Sequence, residues 1–140
     1  MATEATYIPR TLIEETLAQT AMPGKRLLEP MKARSIEAGV PFHILEDVAV
    51  ENPPEIHEHE ADLWQCLEGE VTFVVGGTML NKRLANDGSN PNEYTGDGIE
   101  DGTTYEVKQG DVLFIPAGVP HLHKTSTSAR LIIVKIPKIT

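Results

Sequence analysis

Two histidines stand one residue apart in "IHEHEAD" (56–62), inside a run of carboxylates. In an extended chain, residues i and i+2 project from the same face, about 6.6 Å apart. Imidazoles at that spacing can tilt until both nitrogens meet one ion at about 2.1 Å. His57 and His59 fit this arrangement, with Glu58 turned the other way. The same residues also fit an exposed acidic loop, because a His-x-His pair arises by chance. His57 and His59 alone leave both readings open.

A second stretch, "GDVLFIPAGVPH" (110–121), adds a third imidazole. Gly110-Asp111 makes a turn, 112–115 is an apolar strand, and Pro116 ends it. Gly118 permits a tight reversal, after which His121 opens the next strand. Glycine, proline and glycine together form a rigid device for delivering one histidine to a set position. Strand parity then puts His123 on the same face as His121.

The elements that must position these residues are mostly strands. Six short apolar or β-branched runs lie at 40–50, 63–67, 71–75, 104–108, 112–116 and 129–136. They are punctuated by "NPP", "EG", "GG", "QGD", "PAG" and "STS", the pattern of an antiparallel sandwich or closed barrel. The spacing predicts one short helix over 12–20, capped by Thr11 and Glu14 of "TLIE" and stopped by Pro23-Gly24. Parity within 62–67 puts Trp64 and Cys66 on the inner face, where they line a ligand pocket or fill the barrel with apolar bulk. Phe73, Val75, Phe114 and Ile115 are assigned to the core, and His43 to an ordinary strand position. The polar stretch 85–103 is either decoration or a functional flap, with Lys82 and Arg83 at its base facing an anion or solvent.

The two motifs resemble those of the cupin superfamily. Gly110, five residues, Pro116-Ala117-Gly118, two residues and His121 are similar to its second motif. His57-x-His59, a following carboxylate and Leu67-Glu68-Gly69 are similar to its first. The resemblance covers roughly 40–136 and implies an all-β double-stranded β-helix, or jelly-roll barrel, over 40–140, preceded by a helix and arm over 1–39. In the family pattern three or four residues separate the second histidine from a metal-binding glutamate, with six more before the glycine. Counting back from Gly69 reaches Asp62, only two residues after His59. A tight turn at Glu60-Ala61 would have to absorb the missing residue. The implied ligand set is His57, His59, Asp62 and His121, or three histidines and waters if Asp62 is not used. Where the family often carries Asn there is Thr125, so His123 is a fourth ligand, a proton-transfer group or a rim histidine.

Three imidazoles and a carboxylate suit Fe, Mn, Ni, Cu or Zn as a divalent ion. The resemblance implies oxygenases, isomerases, epimerases, lyases and decarboxylases, and the expectation is an oxygenase or lyase acting on a small carboxylated or hydroxylated molecule. A non-catalytic module that binds a small ligand or metal is the alternative. A formal charge of −9 repels phosphate backbones, which excludes nucleic acid as a partner. No apolar run approaches a membrane span. A single cysteine and an N-terminus without an apolar leader are expected of a cytoplasmic protein, and the N-terminal arm resembles those through which small cupins form homodimers.

Overall fold

A computed structural model describes residues 2–138. Two helices, α1 (Arg10–Leu17) and α2 (Met31–Ala38), flank a short strand β1 (Gly24–Leu27). Ten strands follow: β2 (Phe42–Glu51), β3 (Glu55–His57), β4 (Glu60–Val75), β5 (Thr78–Leu80), β6 (Arg83–Leu84), β7 (Glu93–Thr95), β8 (Gly98–Glu100), β9 (Thr103–Lys108), β10 (Val112–Ile115) and β11 (His121–Pro137). All six apolar runs coincide with strands to within two residues, two of them in β4.

The long strand β11 is the spine. Along one side it pairs with β4 for most of its length; along the other, His121 pairs with Glu55 of β3 and residues 124–134 pair with β2. The far edge of β4 is shared by β10 and β9. The sheet does not close into a complete barrel; it is an antiparallel jelly roll that folds over on itself. The fold line is visible in the register, which slips between Lys124 and Ala129 opposite the middle of β4. Gly69 sits there with φ +75, and a Cβ on it would lie 2.1 Å from the Ser128 carbonyl oxygen. Only glycine accepts both the left-handed backbone and that approach.

Alternation along the strands separates two cores. Leu45, Leu131 and Ile133 face inward with Trp64, Cys66, Val71 and Phe73. Their neighbours Ile44 and Ile132 face outward, where Leu28 and Met31 and partly buried residues of α1 cover them. Between the layers lies Glu46, fully buried and bonded to the Arg130 guanidinium at 2.7 Å and to Arg26 at 2.9 Å. Arg130 Nη1 donates to the carbonyl of Leu17, an orphan at the end of α1, and Nη2 donates also to that of Gln19 two residues on. A buried ion pair on the sheet thus holds the N-terminal arm in place.

Several expectations need correction. Helix α1 begins at Arg10 behind Pro9 and ends at Leu17, so Thr11 lies inside its first turn and makes no cap bond. Helix α2 was not anticipated: its buried positions are Met31 and Ser35, while Ile36 is exposed, so no apolar stripe marks it. Its sequence sign is Gly39, which closes it in the left-handed conformation at φ 68. Phe114 is 53% exposed rather than core, because strand alternation that buries Ile115 must turn its neighbour outward. The stretch 85–103 is not loop throughout: it carries β7 and β8, and β7 pairs with β3.

Candidate metal centre

Strand register assembles a cluster of donors at one end of the fold. Glu55 of β3 lies directly across from His121 of β11. His57 follows Glu55 by two residues on the same strand and so shares its face. Asp62 of β4 lies across from Lys135, near the other end of β11. Folding the sheet over Gly69 brings these two pairs together. The carboxylate of Glu55 is then 3.5 Å from His57 Nε2 and 3.8 Å from His121 Nε2. Asp62 Oδ2 is 3.6 Å and 3.4 Å from the same two nitrogens. Glu55, His57 and His121 offer ligand atoms that all lie within 4.8 Å of one another. The Pro116-Ala117-Gly118 turn ties the two motifs together, since the Gly118 amide donates to the His57 carbonyl at 2.8 Å.

The outer nitrogens of both imidazoles are held. His57 Nδ1 is 2.8 Å from the Glu93 carboxylate, its partner across β3 and β7, and His121 Nδ1 is 3.0 Å from the Val119 carbonyl. Each acceptor places the ring proton on Nδ1 and leaves Nε2 as a lone pair aimed inward. His121 Nε2 and Asp62 Oδ2 are both buried and have no hydrogen-bond partner among the described residues. With His121 neutral, these are two facing acceptors at 3.4 Å, which repel unless a cation lies between or beside them; with His121 protonated, its Nε2–H faces the carboxylate instead. The Lys135 ammonium supplies one such charge, 2.7 Å from Asp62 Oδ1 and 3.2 Å from His57 Nε2.

The ionisation behaviour carries the same sign. Burial alone would raise the pKa of Glu55, yet its bond to His57 and the charge of Lys25 hold it down to about 2. Burial opposes ionisation of Asp62 too, but His121 and Lys135 keep it below the usual carboxylate range. Burial would lower the pKa of His57, and the carboxylates of Glu55, Asp62 and Glu93 together more than offset this, leaving it raised. The pocket favours positive charge. Two imidazoles and two carboxylates, with unpartnered atoms converging and outer nitrogens fixed, form a donor set that fits a divalent transition metal.

The structure brings His57, Asp62 and His121 together, but not His59. Strand β3 ends at His57, the chain bends at Glu58 and His59, and His59 is exposed, so the i, i+2 geometry does not apply to that pair. Glu55 stands on the inner face instead. A carboxylate in a histidine's place hid this register. Read from Glu55-x-His57, four residues lead to Asp62 and six more to Gly69, so the spacing is intact and no residue is missing.

His123 shares the buried face with His121, but its Nδ1 is 2.6 Å from the Asp47 carboxylate and 3.0 Å from Asn52 Nδ2. Its ring stacks on Phe73 at 5.2 Å and lies 5.1 Å from Trp64, within the inner core. Trp64 lines a cavity of about 220 Å³ beside the donor cluster. Leu27, Leu45 and Ile133 form the rest of its apolar side. Lys25, His43, Glu55, His57 and Lys135 form its polar side. Cys66 is not among its walls: the thiol is buried 3.4 Å from the Glu68 and Gly69 carbonyls, and burial pushes its pKa up. Sequence reasoning gave no role to His43, Glu55, Glu93 or Lys135; the register of β3 with β7 and β11 reveals Glu93 and Glu55, and that of β4 with β11 reveals Lys135. Lys82 and Arg83 pair with Glu58 and Asp97, away from the cavity walls. The larger depression, about 430 Å³, lies around Ala49, Thr72 and Thr125 and contains no imidazole.

No family model matches the chain, and no curated protein does. Solved structures do. An oxalate oxidase superposes with a TM-score of 0.55 at 17% identity over 87% of this chain and 57% of its own length. A recombinant oxalate oxidase in complex with glycolate gives 0.53 at 18% identity over 84% and 53%. The cupin domain of Drosophila melanogaster CENP-C gives 0.50 at 10% identity over 71% and 58%. The chain spans only about half to three-fifths of the length of these structures. It has the cupin fold, one shared by enzymes and by other proteins, and the fold alone does not choose between them.

Proposed function

We propose that the protein is a metal-dependent cupin enzyme acting on a small organic molecule, with Glu55, His57, Asp62 and His121 as the metal's protein ligands. The observation that carries this reading is the pair of buried, unpartnered acceptors His121 Nε2 and Asp62 Oδ2 facing each other at 3.4 Å beside two further donors. Iron, manganese, nickel, copper and zinc all suit such a set. When bound, the ion supplies Lewis-acid polarisation of a substrate oxygen, or open positions at which substrate and dioxygen meet.

The chain's own residues supply the rest. Glu93 and the Val119 carbonyl fix the tautomers of His57 and His121, so that Nε2 is the presented atom on both rings. Trp64 and the leucines and isoleucine beside it exclude water from one side of the cavity. Lys135, which reaches both Asp62 and His57 from the cavity wall, holds a transferable proton where a substrate would sit. That makes it a better-placed proton donor than His123, which we assign to positioning Trp64 through ring packing. Cys66 supports the barrel wall from behind. We read the protein as cytoplasmic and as a homodimer, with the exposed Val112 and Phe114 of β10 adding apolar surface for pairing; a monomeric mass in solution would contradict the latter. Among the described residues no helix is long and apolar enough to cross a membrane.

The test is turnover by the metal-loaded chain, followed as dioxygen uptake and substrate loss across small acids, diketones and phenols. At least one compound should be consumed by the loaded protein and not by Lys135→Met. Metal-loaded protein that binds a compound yet turns over none would favour a sensing or storage module, a reading the fold also accommodates.

A further inference from the structure

The cavity beside the metal centre has a defined shape and an unbalanced charge, and together they specify a ligand class. One side is apolar, formed by Leu27, Leu45, Trp64 and Ile133. On the other side stand the two lysines, Lys25 at 3.8 Å from Glu55 and Lys135 at 2.7 Å from Asp62. With the imidazoles neutral, as metal-ligating imidazoles must be, the carboxylates of Glu55, Asp62 and Glu93 and the ammoniums of Lys25 and Lys135 leave one negative charge before the ion is counted. A divalent cation turns that into one positive charge, and a single carboxylate returns it to zero. Two polar atoms of the lining residues are unpartnered among the described residues. The Trp64 indole N–H is buried with no partner among the described residues, and so is His43 Nδ1, which donates or accepts according to tautomer.

Size narrows the class further. A volume of about 220 Å³ is below that of sites for drug-sized ligands and equals about seven waters at roughly 30 Å³ each. From these observations we infer that the cavity takes a small monocarboxylate with an apolar tail, its head between the metal, Lys25 and Lys135 and its tail against the indole and aliphatic side chains. This rests on the metal reading above. It goes further by making acid binding depend on the metal, and metal binding on the acid to the same factor. A neutral isostere accepts a hydrogen bond from either lysine but brings no opposite charge, and a dicarboxylate would leave excess negative charge on the apolar wall.

The experiment is calorimetric titration of the full chain, metal-free and loaded with Zn(II), with 3-methylbutanoate, 3-methylbutanamide and acetate, metal content being measured on each sample. The loaded protein should bind 3-methylbutanoate at least tenfold tighter than the amide or acetate, and at least tenfold tighter than the metal-free protein does. Lys25→Met, whose side chain is at the partly exposed rim, should keep its zinc and lose the preference for acid over amide. If zinc is held at one per chain but acid and amide bind alike, this inference falls and the metal centre stands. If acid binding is equal with and without zinc, the coupling is wrong. If no zinc is held, both fall together.

Discussion

At the level of single residues, the site depends on which nitrogen of each imidazole is free. When neutral, His57 presents Nε2 because the Glu93 carboxylate accepts a hydrogen bond from Nδ1–H at 2.8 Å. Replacing such an outer partner typically costs about 10- to 100-fold in metal affinity. Glu93→Gln should therefore weaken metal binding by about that factor while leaving the fold intact, as competition with a chelating dye would measure; unchanged affinity would show that Glu93 merely pairs strands. The sequence made His57 and His121 legible because histidine is scarce and the Gly-Pro-Gly punctuation before His121 is distinctive. Glu55 was not legible, since a glutamate in an acidic run looks like solvated surface, and His59 drew attention in its place. Chemistry that depends on cross-strand register, as the pairs Glu55–His121 and Asp62–Lys135 do, leaves no mark on local spacing.

At the level of elements, the centre exists because β4 and β11 fold back together. Gly69 is the point at which β4 bends, with the Ser128 carbonyl where a side chain would begin. A left-handed non-glycine residue costs about 1–2 kcal/mol before any clash is counted. Gly69→Ala should lower the unfolding free energy from urea titration by at least that much and loosen the metal centre with it; a variant of wild-type stability would mean the bend does not depend on glycine. The strands were legible from alternation and turn residues. Helix α2 was not, because a helix that buries Met31 and Ser35 and exposes Ile36 has no apolar face to detect. Strands β7 and β8 were missed for a related reason: they are short, polar and held by pairing with β3 and β5 rather than by burial.

At the level of the whole molecule, buried charge links the arm, the sheet and the site. Arg130 holds both Glu46 and the end of α1, so Arg130→Met would leave a fully buried carboxylate without its main partner. Breaking a buried pair on one side costs about 3–5 kcal/mol, readable as a fall in denaturant midpoint. The acid limb of stability follows from the same groups. Burial opposes ionisation of Glu46, but the Met22 amide, Arg26 and Arg130 bring its pKa below the usual value, while Asp62 is lowered and Glu55 sits at about 2. Folded values below unfolded ones mean stability that is fully present above about pH 4.5 and is lost as pH falls toward 2. Metal-free protein should accordingly show a level urea midpoint near neutrality and a steep decline below pH 4.5. A midpoint unchanged at pH 3 would mean that these carboxylates are not paired in the folded state.

The whole account turns on one cation held from two distant stretches of chain, near 55–62 and at 121. Metal content by mass spectrometry, on protein grown in supplemented medium, tests it most directly through four variants compared side by side. Wild type and His59→Ala should each carry close to one transition-metal ion per chain, whereas Glu55→Ala and His121→Ala should carry almost none while remaining folded by circular dichroism. Metal-free wild type, or loss of the metal from His59→Ala with retention in Glu55→Ala, would contradict it.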